Sequence, residues 1–192
     1  MRVIAGKARG RTLKMVPGEG TRPITDRVKE SVFGIVQPGV VGSRWLDLFG
    51  GTGAVGIEAL SRGAREVVFV ELDRRVLGVL RENVQGCGLL AGAQFVQGDA
   101  FRYLAGRPSA FDYIYVAPPQ YQGLWVRVLD VLAETPGWLS ADGEVVVQVH
   151  PRELKEAPDF ETRWGGLELL DERRYGSTVV LFYGRAGEAG EG

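Results

Sequence analysis

A recurrence in this chain leaves few folds open to it. Apolar runs at 44–49 (RWLDLF), 66–72 (EVVFVEL), 93–97 (AQFVQ), 111–117 (FDYIYVA) and 143–149 (GEVVVQV) return at intervals of roughly 20–30 residues. Helix-patterned stretches at 54–62, 74–84 and 100–104 separate the first four, and another at 122–134 precedes the fifth. Parallel strands need crossovers of a dozen or more residues, and helices supply them. The alternation therefore predicts an α/β fold with a doubly wound, mostly parallel sheet. Near the end the rule changes. Strand-like segments at 167–173 and 178–183 are joined only by Tyr175-Gly176-Ser177, too short for a crossover, so they are expected to form an antiparallel hairpin at one sheet edge.

With 192 residues and 45% hydrophobic content, the chain can bury a core, which excludes a disordered or collagen-like polymer. The lone Cys87 can form no internal disulfide, no ~18-residue apolar span is present, and the start lacks a signal-peptide core, so the expected location is the cytoplasm. Net charge is −1 but unevenly spread: residues 1–30 hold eight basic and three acidic side chains, leaving −6 for the remainder. Segments 2–5 and 11–16 flank GKARG and read as a hairpin or two edge strands. Thr25 is placed to cap a helix over 26–36 that Pro38 ends. The expected organisation is a basic extension at 1–40, a ligand-binding domain at 41–185 and a disordered tail at 186–192. A basic arm on an acidic body favours a phosphate-rich partner, although a merely solvated face has the same composition.

The segment Asp47-Leu48-Phe49-Gly50-Gly51-Thr52-Gly53-Ala54-Val55-Gly56 follows the first expected strand and opens a helix. Glycines there allow a sharp turn and close backbone approach to a ligand, and the helix start offers free amide donors. Gly51, Gly53 and Gly56 fit G-x-G-x-x-G, and Glu71, 20 residues beyond Gly51, is placed to hold ribose hydroxyls. A nicotinamide dinucleotide and S-adenosylmethionine both satisfy this pattern. Asp99 and Ala100 follow the third strand, where a carboxylate accepts from an adenine amine or simply caps a helix. The fourth strand ends in Ala117-Pro118-Pro119-Gln120-Tyr121, a stiff loop at the ligand-binding edge of such sheets.

The ordered set DLFGGTG, VELD, GDA and PP at successive strand ends resembles the class I S-adenosylmethionine-dependent methyltransferases. More closely, MRVIAGKARGRTL, RPITDRVKESVF, DLFGGTGAVGIEALSRGA and RRYGSTVVLFY resemble the bacterial ribosomal RNA small subunit methyltransferase D family, which methylates N2 of a guanine in 16S rRNA. The resemblance implies a seven-stranded Rossmann-like sheet, S-adenosylmethionine as cofactor, and a monomer acting on the small ribosomal subunit. It implies cofactor contacts from Asp47, Phe49, Gly50, Gly51, Thr52, Gly53, Glu71, Leu72, Asp99 and Ala100. It implies RNA contacts from Arg2, Lys7, Arg9, Arg11, Lys14, Arg22 and Arg27.

One departure falls at the reacting centre. The family loop reads Asp/Asn-Pro-Pro-Phe/Tyr, whereas this chain reads Ala117-Pro118-Pro119-Gln120 with Tyr121 one place late. In the family pattern, the side chain at the first position accepts from the target amine and the aromatic stacks on the flipped base. Ala117 has no acceptor, and the Gln120 amide is the expected replacement. Rival readings are a binding module with impaired chemistry, a methyltransferase for another nucleic acid or a protein side-chain amide, and an NAD oxidoreductase. His150 is expected to be structural, as are Trp45, Trp125, Trp138 and Trp164, and Cys87 has no companion for a metal site.

Overall fold

The computed structural model describes residues 1–16, 24–157, 159 and 164–187. The apolar runs become β1 (Arg44–Asp47), β2 (Glu66–Glu71), β3 (Ala93–Gln97), β4 (Phe111–Val116) and β5 (Leu139–Val149), followed by β6 (Leu167–Tyr175) and β7 (Thr178–Arg185). The helices are α1 (Asp26–Val40), α2 (Ala54–Ser61), α3 (Arg74–Gly86), α4 (Ala100–Leu104) and α5 (Leu124–Glu134). The strands form one sheet in the order β3-β2-β1-β4-β5-β7-β6. The first five strands are parallel, and β7 runs antiparallel to both β5 and β6. The edge hairpin thus forms as expected, with Gly176 in the left-handed region at its two-residue turn.

Successive strand residues enter different cores. Trp45, Phe69 and Tyr115 pack with α1, α2 and α3, whereas Leu46, Val68 and Ile114 pack with α5 on the other face. Burial on both faces explains why the strands read as unbroken apolar runs. The chain winds outward from β1 to β3 and resumes at β4 on the other side of β1, so strand order reverses between β1 and β4. Such a switch point opens a crevice at the C-terminal strand ends.

Three local expectations change. Thr25 caps α1 through Val28 N–H, but Pro38 lies inside the helix, which continues to Val40. Burial of Val36 and Val40 outweighs the one backbone bond that proline forgoes. Segments 2–5 and 11–16 approach as a hairpin with a single isolated bridge, Arg2–Thr12, and do not form strands. The helix expected to start at Gln122 begins at Leu124, after Gly123 in the left-handed conformation. Residues 17–23, which include Arg22, and positions 188–192 of the tail expected at 186–192 lie outside the described residues.

The hairpin is clasped onto α2. Glu58 is fully buried and accepts from Ile4 N–H (2.8 Å) and Ala5 N–H (3.0 Å), while pairing with Lys29 (3.1 Å) and Arg62 (2.8 Å). At the next turn, Ser61 Oγ donates to Ala5 O and accepts from Ala8 N–H. Gly6 makes this close approach possible: its φ is +80°, and a Cβ there would meet Ser61 O at 1.8 Å. The returning limb is tied by Asn83, which exchanges hydrogen bonds with the Lys14 backbone and donates to Thr52 O in the glycine loop. Val3 and Leu13 consequently share the core of α1 and the sheet.

Candidate active site

The C-terminal ends of β1, β2, β4 and β5 open onto a cavity of about 580 Å³. Its floor is the glycine loop. Gly53 (φ 82°) caps α2 in the left-handed conformation, so the chain turns from β1 directly into the helix start. Gly56 lets α2 lie close on the sheet, since a Cβ there would meet Phe69 Cε1 at 2.2 Å. Of the sequence-nominated cofactor residues, Asp47, Phe49, Gly50, Gly51, Thr52, Glu71, Leu72, Asp99 and Ala100 all line the cavity. Gly53 shapes the loop without lining it. Ala117 and Pro119 also line it, whereas Pro118, Gln120 and Tyr121 stand outside the lining.

Two carboxylates define the polar part. Glu71 Oε2 accepts from Gly51 N–H (2.9 Å) and Oε1 from Asp73 N–H (2.8 Å), so the acid at the end of β2 holds the glycine loop directly. Each oxygen keeps a second lone pair for a hydroxyl donor. Asp47 is buried, and its Oδ1 has no hydrogen-bond partner among the described residues. Burial, and then the charge of Glu71, push its carboxyl up to about 8, against the pull of the Gly56 and Phe49 amides. A buried carboxyl oxygen left open beside a cavity can accept from a donor that enters it, and a cationic donor would favour its ionised form. Asp99 also caps α4, accepting from Arg102 N–H at 3.0 Å. The helix-cap role expected of this position is thus present, on an exposed carboxylate at the cavity wall.

Sequence reasoning missed part of the wall. Tyr115 and Gln148 line the cavity, and the Tyr115 hydroxyl donates to Gln148 Oε1 at 2.6 Å. Burial, reinforced by Asp47, raises the Tyr115 hydroxyl well above the ordinary phenol range, so it stays a neutral donor. Val116 pairs with Val147, which sets Gln148 beside Ala117 on the adjacent strand. Met1, Met15 and Ile24 close another side, making the clasped hairpin a wall of the cavity. A glutamine inside the apolar run VVVQV was the available signal for Gln148; nothing local announced the methionines.

The basic residues of the hairpin are exposed. Arg2 pairs with Asp26 and Lys14 with Glu82, whereas Lys7, Arg9, Arg11 and Arg27 have no ion-pair partner within 4.0 Å among the described residues. The hairpin runs from the cavity to the far end of α2 and back, a helix length of about 12 Å at 1.5 Å per residue. No group of three His, Cys, Asp or Glu fit to hold a metal occurs among the described residues, and no helix there is long and apolar enough to cross a membrane.

The loop after β4 is fastened from the turn that follows β5. Tyr121 is the one non-glycine among the described residues with positive φ (62°), a conformation that costs about 1–3 kcal/mol. Its N–H donates to Glu153 Oε1 (3.0 Å), while Glu153 Oε2 accepts from His150 N–H (2.8 Å). His150 has the structural role expected of it, capping the Pro151–Glu156 turn by accepting from Arg152 N–H on Nδ1. The tryptophans also follow expectation in the main: Trp45, Trp125 and Trp138 are buried in the cores, and Trp164 is half-buried against one of them.

A seven-stranded sheet with its last two strands antiparallel, carrying a glycine loop and an acid at its switch point, defines a methyltransferase of the Rossmann-like class. Residues 1–184 match the family described as conserved hypothetical protein 95. YlbH of Bacillus subtilis (strain 168) is 40% identical over 190 residues, covering 97% of this chain and 100% of that protein. The ribosomal RNA small subunit methyltransferase D of Escherichia coli (strain K12) is 38% identical over 186 residues, covering 96% and 90%. A solved Escherichia coli structure, yhhF, superposes with a TM-score of 0.84 at 31% identity, covering 98% of this chain and 99% of that one. The chain belongs to the ribosomal RNA small subunit methyltransferase D family.

Proposed function

We propose that this protein transfers a methyl group from S-adenosylmethionine to the exocyclic N2 of a guanine in 16S rRNA of the small ribosomal subunit. The observation that carries the reading is the open, buried Asp47 oxygen in a cavity that Ala117 and Pro119 also line. It fits the cofactor: Asp47 accepts from its ammonium, Glu71 takes the ribose hydroxyls, and Asp99 and Ala100 flank the adenine. The sulfonium methyl supplies the electrophile when the cofactor is bound. An NAD-dependent oxidoreductase lacks a comparable use for an unpartnered acid here, and the family relatives carry methyltransferase names.

The residues around the amine have a restricted task. The target nitrogen must lie in line with the methyl and its lone pair must be freed from conjugation with the base. Ala117 offers no side-chain acceptor, so positioning falls to the loop backbone, to Gln120 as the sequence suggests, and to Gln148 beside Ala117 inside the cavity. The amine needs no deprotonation before attack, and its extra proton leaves to water afterwards. Lys7, Arg9, Arg11 and Arg27, with Arg2 and Lys14, supply phosphate contacts that orient the RNA without reading sequence. The enzyme is read as a cytoplasmic monomer. A second reading rests on Ala117 itself: the fold binds cofactor and RNA but turns over poorly.

The test incubates the protein with methyl-labelled S-adenosylmethionine and small subunits lacking the modification, then digests the RNA to nucleosides. Label in N2-methylguanosine is expected. Label in another nucleoside or in ribosomal protein would refute the assignment of the acceptor.

A further inference from the structure

Glu153 does more than cap a turn. It is 2% exposed, yet its two carboxylate oxygens are divided between different segments: Oε1 on Tyr121 N–H of the loop after β4, and Oε2 on His150 N–H at the end of β5. The strand ends it bridges both belong to the active site, because Ala117 and Pro119 precede Tyr121, and Gln148 precedes His150, in the cavity lining. The bond holds Tyr121 at φ 62°, which a tyrosine adopts only under constraint. The result is an aromatic pair whose members each follow a cavity-lining residue by two positions, Tyr121 after Pro119 and His150 after Gln148. Tyr121 is 55% exposed, and its ring meets the His150 ring at 5.6 Å between centroids, tilted by 55°. The His150 ring is itself fixed, because its Nδ1 accepts from Arg152 N–H at 3.1 Å.

We propose that Glu153 is a positioning residue for the acceptor base: it fixes Tyr121 and His150 as a two-ring edge against which an unstacked purine lies while its amine enters the cavity beside Ala117. The proposal rests on the RNA-methylating reading above. It accounts for the displaced aromatic: with residue 120 a glutamine, the stacking ring is supplied from residue 121, and the left-handed backbone there reorients it. Stacking a base on an exposed ring is sequence-tolerant and draws on its whole π-face.

His150 is the sole histidine in the chain, so its ring Hε1 proton gives an isolated NMR signal. The experiment titrates guanosine 5′-monophosphate into protein carrying S-adenosylhomocysteine and follows that signal. In parallel, it measures single-turnover methyl transfer to small subunits and S-adenosylmethionine affinity by calorimetry. In the wild-type chain the ring current of the purine is expected to move the His150 signal upfield. Tyr121→Ala and Glu153→Ala should abolish the shift and slow transfer more than tenfold with cofactor affinity unchanged, whereas Tyr121→Phe retains both. Glu153→Gln, which keeps a foldable isostere but only one good acceptor, should fall between. An unmoved His150 signal in a protein that methylates RNA overturns the base-edge role and leaves the enzymatic reading intact. Normal transfer by Glu153→Gln and Tyr121→Ala does the same. Absence of both transfer and shift overturns the two together.

Discussion

Replacing Glu58 with glutamine isolates the force that closes the cavity from the hairpin side. Four donors converge on this buried carboxylate: Ile4 N–H, Ala5 N–H, the Lys29 ammonium and the Arg62 guanidinium. An amide of the same shape presents one acceptor and two further donors, so it leaves the fully buried Lys29 with the Arg2 carbonyl as its remaining hydrogen-bond acceptor. Breaking a buried pair from one side costs about 3–5 kcal/mol, most of it the uncompensated charge. At about 2.1 cal/mol/K of unfolding entropy per residue, a chain of 192 residues loses roughly 7–12 °C of melting temperature. Thermal unfolding followed by circular dichroism measures this directly. The paired change Glu58→Gln with Lys29→Met should recover the charge component, leaving only the backbone amides short of an acceptor. Because Met1, Met15 and Ile24 wall the cavity, the single variant should also bind S-adenosylmethionine more weakly. A shift below about 2 °C for Glu58→Gln would refute the clasp as the element that fastens the hairpin.

Asp47 gives a pH signature. Its folded-state value, about 8, lies above the unfolded one, so its stabilising neutral form is fully present below about pH 4 and is lost as pH rises through 8. Cofactor-free Asp47→Asn should therefore melt above wild type at pH 8–9 while losing cofactor affinity at least tenfold; lower stability there would contradict the buried open acid. An ammonium beside Asp47 favours its ionised form, so wild-type affinity should rise between pH 6 and 8 with proton release, measurable by calorimetry in buffers of different ionisation enthalpy. Gly6→Ala should destabilise by about 2 kcal/mol or more, because the left-handed backbone and the Ser61 carbonyl both exclude a Cβ; an unchanged melting temperature would contradict the packing. Alanine at Lys7, Arg9 and Arg11 together should leave thermal stability unchanged and flatten the salt dependence of RNA binding by about 0.7–0.9 for each phosphate no longer neutralised, and an unchanged slope would remove the hairpin from the RNA interface.

The strands were legible because parallel strands buried on both faces read as unbroken apolar runs, and the glycine loop was legible because its spacing is local. The helix α4 matches its expected bounds, Ala100–Leu104, with Asp99 as its cap. What the sequence hid was non-local. Glu58 meets the hairpin across 53 and 54 positions and Asn83 meets Lys14 across 69, so neither pairing leaves a periodic trace. Asn83, the chain's single asparagine, reads as a compositional oddity until it is seen joining the hairpin to Thr52. Tyr121 was visible as an aromatic one place late, but its backbone conformation depends on Glu153, 32 positions away. The end of α1 departs from expectation because a proline signal carries no information on the burial of Val40 beyond it.

Whether the chain methylates guanine despite Ala117 decides the functional reading. Single-turnover formation of N2-methylguanosine on unmodified small subunits, by the wild-type chain beside Ala117→Asp, answers it. The wild-type chain is expected to form the product. The variant, gaining a positioning hydrogen bond worth about 1–3 kcal/mol, is expected to form it ~5 to ~150 times faster. Product from the variant alone, with both proteins binding S-adenosylmethionine equally, would contradict that reading and leave a binding module in its place.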